Sequence, residues 1–404
     1  MADISTRCCI AGGGPAGMML GLLLARAGID VVVLEKHADF LRDFRGDTIH
    51  PSTLELMHEL GLLDEFLKLP HSRVERLSGQ VGETTITLAD FSQLPTHCKF
   101  IALIPQWDFL DFLAAHGKKY PGFDLHMRTE ATDLIEEGGR VAGVRANAPE
   151  GTLEIRADLT VGCDGRHSTL RARAGFQVDD IGAPMDILWF RISRRASDTA
   201  ETFGHMEAGC MLVMLNRNDY WQCAYVIPKG GIDKVKAKGV DAFRAGIASM
   251  SPFLRDRLGE IKSWDDVKLL TVAVDRLRQW HKPGLLCIGD AAHAMSPVGG
   301  VGINLAVQDA VATANLLGPI LQRRVPSFAE LKTVQARREF PTKVIQSFQV
   351  AAQNVILAPT LRAVATPRPP MFMKLLNAWP WLRQFPARFI GMGVRPEHVK
   401  LAKR

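Results

Sequence analysis

Short apolar runs frame a segment of helical periodicity at the start of the chain. Cys8–Ala11 is continuously apolar, Ile29–Leu34 is apolar except for Asp30, and Met18–Ala27 between them carries apolar residues at helical spacing. The pattern predicts a buried strand, a helix and a second buried strand. A similar run at Leu285–Ile288 predicts another buried strand, and the apolar-periodic segment that follows it to Leu321 predicts a long helix.

The middle of the chain has a different pattern. Met211–Leu215 and Tyr220–Ile227 are apolar-rich and flank the polar residues 216–219, which predicts a β-hairpin. Val240–Met250 predicts a helix. Beyond residue 320 the chain predicts mostly helix, which we expect to be broken at Pro341, at Pro359 and at the Pro367–Pro370 cluster.

The length of the chain and the distribution of its charge indicate how it is divided into domains. Its 404 residues suggest two to three domains. The net charge of +6 is uneven: residues 321–404 hold 15 Lys+Arg and 3 Asp+Glu, so they carry +12 and the remainder carries −6. This argues against nucleic-acid binding through a generally basic surface. We expect the basic segment to pack against the acidic body rather than to bind a membrane.

Cysteine usage and apolar run lengths restrict the setting. Of the seven cysteines only Cys8 and Cys9 are close together, and the sequence contains no C-x-x-C motif. This usage favours a reducing, cytoplasmic environment. No apolar run reaches the roughly 18 residues of a membrane span. No cluster of His, Cys and carboxylate residues has metal-ligand spacing, so we expect no metal site.

A glycine-rich turn follows the first strand. In Gly12-Gly13-Gly14-Pro15-Ala16-Gly17 the first glycine permits a tight turn, Gly14 lets the backbone approach a pyrophosphate, and Gly17 lets helix and strand pack closely. Glu35, at the end of the second strand, is placed to accept hydrogen bonds from ribose hydroxyls and would repel a 2′-phosphate. The motif predicts dinucleotide binding and leaves FAD and NAD open. The residues assigned to the cofactor here are Gly12, Gly14, Ala16, Gly17, Glu35 and Lys36.

Two later motifs favour FAD. Each brings an acidic residue to the end of a buried strand, in Cys163-Asp164-Gly165 and in Gly289-Asp290-Ala291. Asp290 is placed to hold a ribityl hydroxyl. The glycine-rich loop after it opens a helix whose N-terminus can stabilise negative charge on a reduced flavin. The residues assigned to the cofactor in these motifs are Asp164, Asp290, Gly300, Gly302, Ile303 and Asn304.

Together and in this order, the three motifs make residues 5–320 resemble the para-hydroxybenzoate hydroxylase-type, single-component (group A) FAD-dependent monooxygenases. The resemblance also implies cofactor contacts for Arg45, at the FAD phosphates and ribityl region, and for Gln106, at the ribityl chain. Pro297 matches the family's proline beside the reactive edge of the flavin.

The resemblance implies an α/β fold with three parts. A discontinuous Rossmann-like FAD-binding domain would comprise 1–75, 95–175 and 265–320. An inserted antiparallel-sheet substrate domain would comprise 76–94 and 176–264. The remaining residues, 321–404, form the basic helical C-terminal segment.

The resemblance also implies the reaction. NADH or NADPH reduces FAD, molecular oxygen adds to give a C4a-hydroperoxyflavin, and one oxygen passes to an aromatic substrate that resembles a phenol or a quinolone. The chain has no second glycine motif for the reductant, as expected if NAD(P)H binds only transiently. Alternatives are an FAD-dependent prenyl-chain reductase, a non-catalytic flavin-binding redox or membrane module, and a flavin-dependent halogenase, whose two tunnel tryptophans are absent here. The oligomeric state stays open between monomer and homodimer.

Substrate residues are sought on the predicted sheet. Strand alternation puts Gln222 and Ala224 on one face and Tyr225 on the other. The resemblance places Gln222 and Ala224 where the namesake enzyme clamps 4-hydroxybenzoate with Arg and Tyr, which favours a more apolar substrate. Tyr225, Gln222 and His205 are candidates for the catalytic site together with Pro297, and ordinary packing is the competing interpretation for the tyrosine and the histidine.

Overall fold

The computed structural model describes residues 2–41, 48–199, 202–365 and 367–403. Its strands are β1 (Ala2–Ala11), β2 (Val31–Glu35), β3 (Thr48–Ile49), β4 (Ser72–Val74), β5 (Arg76–Val81), β6 (Thr84–Asp90), β7 (Ile101–Leu103), β8 (Phe123–Met127), β9 (Glu130–Glu137), β10 (Arg140–Ala148), β11 (Gly151–Gly162), β12 (Val178–Asp180), β13 (Met185–Ser193), β14 (Phe203–Glu207), β15 (Cys210–Asn216), β16 (Tyr220–Pro228), β17 (Lys268–Leu270), β18 (Asp275–Leu277), β19 (His281–Lys282) and β20 (Leu285–Cys287).

Helices connect and cover these strands. They are α1 (Pro15–Arg26), α2 (Pro51–Glu59), α3 (Leu63–Phe66), α4 (Gln106–Gly117), α5 (Thr169–Arg173), α6 (Ile232–Ala237), α7 (Val240–Met250), α8 (Gly302–Leu321), α9 (Phe328–Ala352), α10 (Ala358–Arg362), α11 (Met371–Ala378) and α12 (Gln384–Met392). A π-helical turn, Gln353–Leu357, joins α9 to α10. Within the described ranges, no helix is both long enough and apolar enough to cross a membrane.

The first sheet has the order β19-β20-β11-β1-β2-β8, with β10 paired to β11 and β9 paired to β10. β1 pairs in parallel with both β2 and β11, and β11 pairs in parallel with β20. The carboxyl ends of β1, β2, β11 and β20 therefore meet at one edge, where an open α/β sheet binds its ligand. Helix α1 packs beside α4 and α8 and buries the apolar side chains of its middle turns.

The second sheet has the order β17-β13-β16-β15-β14-β5-β6 and is antiparallel except for the β14–β5 pair. It occupies 76–90 and 185–270, which compares with the expected insertion at 76–94 and 176–264. β15 and β16 form the expected hairpin, and α7 has the predicted bounds. One face of β16 packs against α7 and its neighbours, so this sheet is covered on that side.

The C-terminal segment is helical, but the predicted breaks at Pro341 and Pro359 are wrong, since a π-helical turn leads without interruption into α10, which contains Pro359. Helix α9 continues through Pro341, which is buried within it. Proline removes one N–H group and strains the preceding turn, and the dense packing of α9 holds the helix together across it. Arg338, three residues earlier, is fully buried and ion-paired to Asp309 of α8, so α9 is bound firmly to the first sheet's helical layer.

Candidate active site

A cavity of about 1280 Å³ joins three parts of the molecule. The loops at the carboxyl edge of the first sheet line one end, one face of the second sheet lines the other, and helices of the C-terminal segment close the side. The predicted residues that line it are Gly14, Ala16, Gln106, Gln222, Asp290, Pro297, Gly300, Gly302 and Ile303.

The first glycine turn has the shape that a pyrophosphate requires. A Cβ on Gly12 would lie 2.3 Å from the backbone oxygen of Cys163, and one on Gly17 would lie 2.0 Å from the oxygen of Gly12. These two glycines permit close packing of the backbone. A Cβ on Gly14 would meet nothing within 4 Å, so Gly14 borders open space. Helix α1 begins there without a side-chain cap and with no acidic residue in its first turn, which leaves its N–H groups available to an anion.

Glu35 and Lys36 differ in their placement. Glu35 is buried at the end of β2, and its carboxylate accepts hydrogen bonds from the backbone N–H groups of Gly13 and His37, at 3.1 and 3.0 Å. This fixes the carboxylate beside the glycine turn, where a ribose would lie. Lys36 is exposed and lies 3.8 Å from Glu130, away from the cavity lining, so its geometry does not single it out as a cofactor ligand.

The two strand-end aspartates also differ. Asp164 accepts hydrogen bonds from the Ser168 hydroxyl and from the Leu170 N–H, so its side chain caps α5. Burial raises its pKa, and the hydrogen bond from Ser168 acts in the opposite direction. Asp290 lines the cavity between the glycine turn and the loop that precedes α8. Arg45 lies outside the described residues.

The loop before α8 is held by close packing and hydrogen bonding of its backbone. Gly300 has φ +63°, and a Cβ there would lie 2.5 Å from Oγ1 of Thr48. The Thr48 hydroxyl donates to the Gly300 carbonyl at 2.7 Å. The Asn304 amide oxygen accepts from the N–H of His50 and the hydroxyl of Thr53, at 2.9 and 2.7 Å. The Asn304 side chain therefore holds the start of α8 against the start of α2, and Gly302 and Ile303 at the start of α8 line the cavity.

Two glutamines that sequence reasoning missed hold this loop from α9 and its π-helical extension. Gln349 donates to the carbonyls of Ser296 and Val298, at 2.8 and 2.9 Å, and accepts from the Ser296 N–H at 3.1 Å. Gln353 donates to the Ser296 hydroxyl at 2.6 Å. Both side chains are buried. The signal in the sequence is the spacing of Gln346, Gln349 and Gln353 on one helical face, since buried amides need partners.

A buried ion network supports the Gly289-Asp290 turn. Asp309 of α8 accepts from His293 at 2.6 Å, from Arg338 at 2.9 Å and from the Gly289 N–H at 3.1 Å. Burial alone would raise the pKa of Asp309, but the charges and hydrogen bonds of His293 and Arg338 lower it. The aspartate is thus held ionised, and His293 has the structural partner expected of a buried histidine.

The face of the second sheet that meets the cavity is the one that carries Gln222 and Ala224. The Gln222 carbonyl accepts from Nε of Arg217 at 3.0 Å, so the orientation of its amide is fixed. Tyr225 lies on the opposite face, in edge contact with Phe243 of α7, and burial raises its pKa well above 10. Strand alternation separates it from the cavity, which corrects its assignment as a catalytic candidate.

His205 is also placed away from the cavity. Its ring nitrogens contact the Met250 carbonyl at 2.5 Å and Glu207 at 3.2 Å. These contacts tie β14 to the end of α7, which is a structural role. Among the described residues that line the cavity, there is no His, Lys, Glu or Tyr, and the titratable ones are Cys163, Arg166 and Asp290. The wall that would surround a substrate therefore offers no conventional proton acceptor among these residues.

Comparisons with known proteins agree with this geometry. The profile of a family described as "FAD binding domain" matches residues 5–347. A 6-methylpretetramide 4-monooxygenase from Streptomyces rimosus is 33% identical over 366 residues, which cover 90% of this chain and 87% of that protein. A rifampicin monooxygenase from Streptomyces venezuelae is 27% identical over 378 residues, which cover 88% and 73%.

The fold agrees as well. The solved structure of anhydrotetracycline hydroxylase from Streptomyces rimosus matches with a TM-score of 0.75 at 23% identity, covering 98% of this chain and 77% of that one. These matches confirm the predicted resemblance and fold class, and they favour a monooxygenase over a reductase or a non-catalytic module. The chain belongs to the FAD-binding-domain family and is an FAD-dependent aromatic monooxygenase with NADH or NADPH as the reductant.

Proposed function

We propose that the substrate is a large, mostly apolar, multi-ring aromatic molecule that binds under the second sheet. The lining of the three central strands carries this proposal. Of the side chains that β13, β15 and β16 present to the cavity, all are apolar except Gln222: Met185, Ile187, Trp189, Met211, Val213, Leu215, Ala224 and Val226. A wide apolar wall with one oriented polar group suits a ligand with few polar substituents.

Gln222 would recognise a substrate oxygen. Because Arg217 holds the Gln222 carbonyl, the amide NH₂ is the part of Gln222 that remains to donate a hydrogen bond to a substrate hydroxyl or carbonyl. One such donor fixes the orientation of a ring system that apolar contacts alone would let slide. Gln222 would therefore help to select which ring carbon faces the Pro297 loop.

Bound FAD would supply the electron transfer and oxygen transfer that this family requires. The chain's own contribution lies in placement and polarity. Gly14 and the start of α1 would hold the pyrophosphate, and Gln106 and Asp290 the ribityl chain. The first N–H groups of α8, from Gly302 onward, would stabilise negative charge on the ring system. Pro297 and the apolar walls would exclude water from the reacting atoms.

The substrate would have to bring its own acidity. A phenol needs to be electron-rich at the carbon that accepts oxygen, and a protein base often supports this by taking the hydroxyl proton. The described lining places no such base near Gln222. We therefore expect a substrate whose hydroxyl is already acidic, as in phenols conjugated to carbonyl groups across fused rings.

The relatives support the size of this substrate. Two proteins similar to this chain are named for acting on 6-methylpretetramide and on rifampicin. Both are bulky multi-ring compounds, which agrees with the wide apolar wall that β13, β15 and β16 present to the cavity.

The test is a substrate screen with the FAD-loaded protein. We expect fused-ring phenols that carry a neighbouring carbonyl to stimulate NADH or NADPH oxidation and oxygen uptake, and to give a product one oxygen atom heavier by mass spectrometry. 4-Hydroxybenzoate is the matched single-ring control and should give little stimulation. Stronger stimulation by the single-ring control than by every fused-ring compound would contradict the proposal. Reduction of a compound without oxygen uptake would instead support a reductase.

A further inference from the structure

The mouth of the cavity is formed by the C-terminal segment. Five large apolar side chains both line the cavity and are exposed to solvent, and all five follow residue 321: Phe348, Val355, Phe372, Leu375 and Phe385. From the sequence alone we expect this basic segment to pack against the acidic body rather than to bind a membrane, and the exposed side chains of its mouth argue against that expectation. In the structure this segment is the side of the cavity that opens outward.

The exposed apolar surface extends beyond the mouth. Met371, Trp379 and Trp381 are 71%, 52% and 60% exposed, respectively. Helix α11 buries Met373, and helix α12 buries the small residues Ala387 and Gly391, where a Cβ on Gly391 would lie 2.8 Å from Leu94. Apart from Met373, the large apolar side chains named here are exposed together on one side of the segment, which marks an interaction surface.

This outward arrangement is fixed by polar contacts to the body. The Asn377 amide donates to the Thr85 carbonyl at 2.7 Å and accepts from the Thr87 N–H at 3.3 Å. Arg383 donates to the Leu376 carbonyl at 2.9 Å. Helix α11 and the turn after it are therefore bound to β6 and to each other, so the exposed aromatic side chains are presented by an anchored scaffold.

The charged side chains of residues 340–396 all have one sign. Between Glu339 and Glu397 the chain contains no aspartate or glutamate, and it contains seven Lys and Arg residues. Four of these cations are exposed on the stretch that carries the mouth: Arg362, Arg368, Lys374 and Arg388. A complementary surface must therefore be anionic and also accept tryptophan and phenylalanine side chains.

We propose that residues 371–392, the mouth surface, dock on an anionic lipid bilayer. Aromatic side chains at the level of the headgroups, flanked by Lys and Arg, are the composition that binds such an interface without spanning it. An acidic protein would satisfy the cations, but the row of protruding aromatic residues fits better into a deformable apolar layer. The docked mouth would let apolar substrate enter from the bilayer, a consequence that rests on the proposed function, whereas docking itself does not.

The test is sedimentation of the full-length, FAD-loaded protein with vesicles. We expect binding to vesicles of phosphatidylcholine mixed with phosphatidylglycerol at low ionic strength, release by salt, and little binding to phosphatidylcholine alone. Trp379→Ser/Trp381→Ser and Lys374→Glu/Arg388→Glu should each weaken partitioning by about tenfold or more, since each basic residue near an anionic surface contributes roughly fivefold. None of these four residues lines the cavity, so the flavin absorbance spectrum of both variants should match that of the unaltered protein.

Lys234→Glu/Lys236→Glu is the matched charge control, because both lysines are exposed on α6, which does not line the cavity. It should sediment like the unaltered protein. The proposal is overturned if the unaltered protein stays in the supernatant, if the control loses binding as strongly as Lys374→Glu/Arg388→Glu, or if the surface captures an acidic protein but no vesicles. Because sedimentation involves no turnover, any of these results leaves the proposed substrate class standing.

Discussion

The two ends of the cavity are built in different ways. At the flavin end, backbone defines the surface: glycines 12, 14 and 17 and the loop around Gly300 leave room that any Cβ would fill or obstruct. At the substrate end, side chains define it, from strands and helices that are far apart in sequence. Backbone surfaces need particular residues in fixed order, whereas side-chain surfaces tolerate many sequences. The flavin end is therefore recognisable from a motif and the substrate end is not.

The largest expected effect tests the backbone character of the flavin end. Gly12→Ala places a Cβ 2.3 Å from the Cys163 oxygen at φ +109°, so we expect a loss of about 3 kcal/mol or more in unfolding free energy. Gly14→Ala meets nothing within 4 Å and should fold normally, yet lose FAD affinity about tenfold or more. Thermal unfolding and flavin titration separate the two effects. An unchanged FAD affinity in Gly14→Ala would contradict the view that backbone defines the flavin end of the cavity.

The pH dependence of the unfolding free energy can test how the C-terminal segment supports the flavin end. His50 is buried, its N–H donates to Asn304, and its Nδ1 contacts the Ile390 carbonyl of α12 at 2.8 Å. Burial lowers its pKa from 6.5 to about 4, despite the opposing hydrogen bond to Ile390. Between pH 6.5 and 4, His50 therefore binds a proton in the unfolded chain but not in the folded protein. The free energy of unfolding consequently falls as the pH drops from 6.5 towards 4.

For this one group the slope is about 1.4 kcal/mol per pH unit, or about 3 kcal/mol over the whole window. His50→Asn should remove that part of the pH dependence and keep the remainder. The measurement is denaturant unfolding at several pH values across the window, with His97→Asn as an exposed-histidine control. Parallel pH curves for His50→Asn and the unaltered protein would contradict the assignment.

A smaller effect is expected where the C-terminal segment supports the Pro297 loop. Gln349→Leu leaves the buried Ser296 N–H and carbonyl without their partner, which costs about 1–3 kcal/mol. It should also lower FAD affinity several-fold and increase hydrogen peroxide release during NADH or NADPH oxidation, because the loop is no longer held. Gln335 offers a matched control on the same helix, since its amide bonds to the backbone of Trp280 and Arg278 away from the cavity. Gln335→Leu should cost stability without changing flavin affinity or peroxide release.

These cases show what the sequence could and could not predict. The strand ends with their glycine turns were predictable because each motif is local and its residues are adjacent. The link from Gln349 to Ser296 spans more than fifty residues, and that from His50 to Ile390 spans 340. Such pairs depend on how the C-terminal segment folds back, which helical periodicity does not specify. The predicted helix break at Pro341 was wrong for a related reason, since the tertiary packing of α9 outweighs the local tendency of proline to break a helix.

The substrate end shows a second limit. Alternation correctly separated Gln222 from Tyr225, but both faces of β16 are buried, one by the cavity and one by α7. Because both faces are buried, the sequence does not show which face holds the ligand. Tyr225 was therefore a catalytic candidate, although it lies on the face that packs against α7. Only the position of α7 resolves the two faces.

The smallest expected effect on stability is also the most direct test of that assignment. Tyr225→Phe removes a hydroxyl on the α7 side, and Gln222→Leu removes an amide on the cavity side of the same strand. Tyr225→Phe should change the unfolding free energy by only about 1 kcal/mol, whereas Gln222→Leu removes the acceptor of the Arg217 Nε–H and should cost about 1–3 kcal/mol. Their kinetics should differ: Gln222→Leu should raise KM for an oxygen-bearing aromatic substrate several-fold, because the donor oriented by Arg217 is lost, while Tyr225→Phe leaves KM and kcat near their original values. A large fall in kcat for Tyr225→Phe with an unchanged fold would return the tyrosine to the catalytic site and reverse the assignment of the two faces.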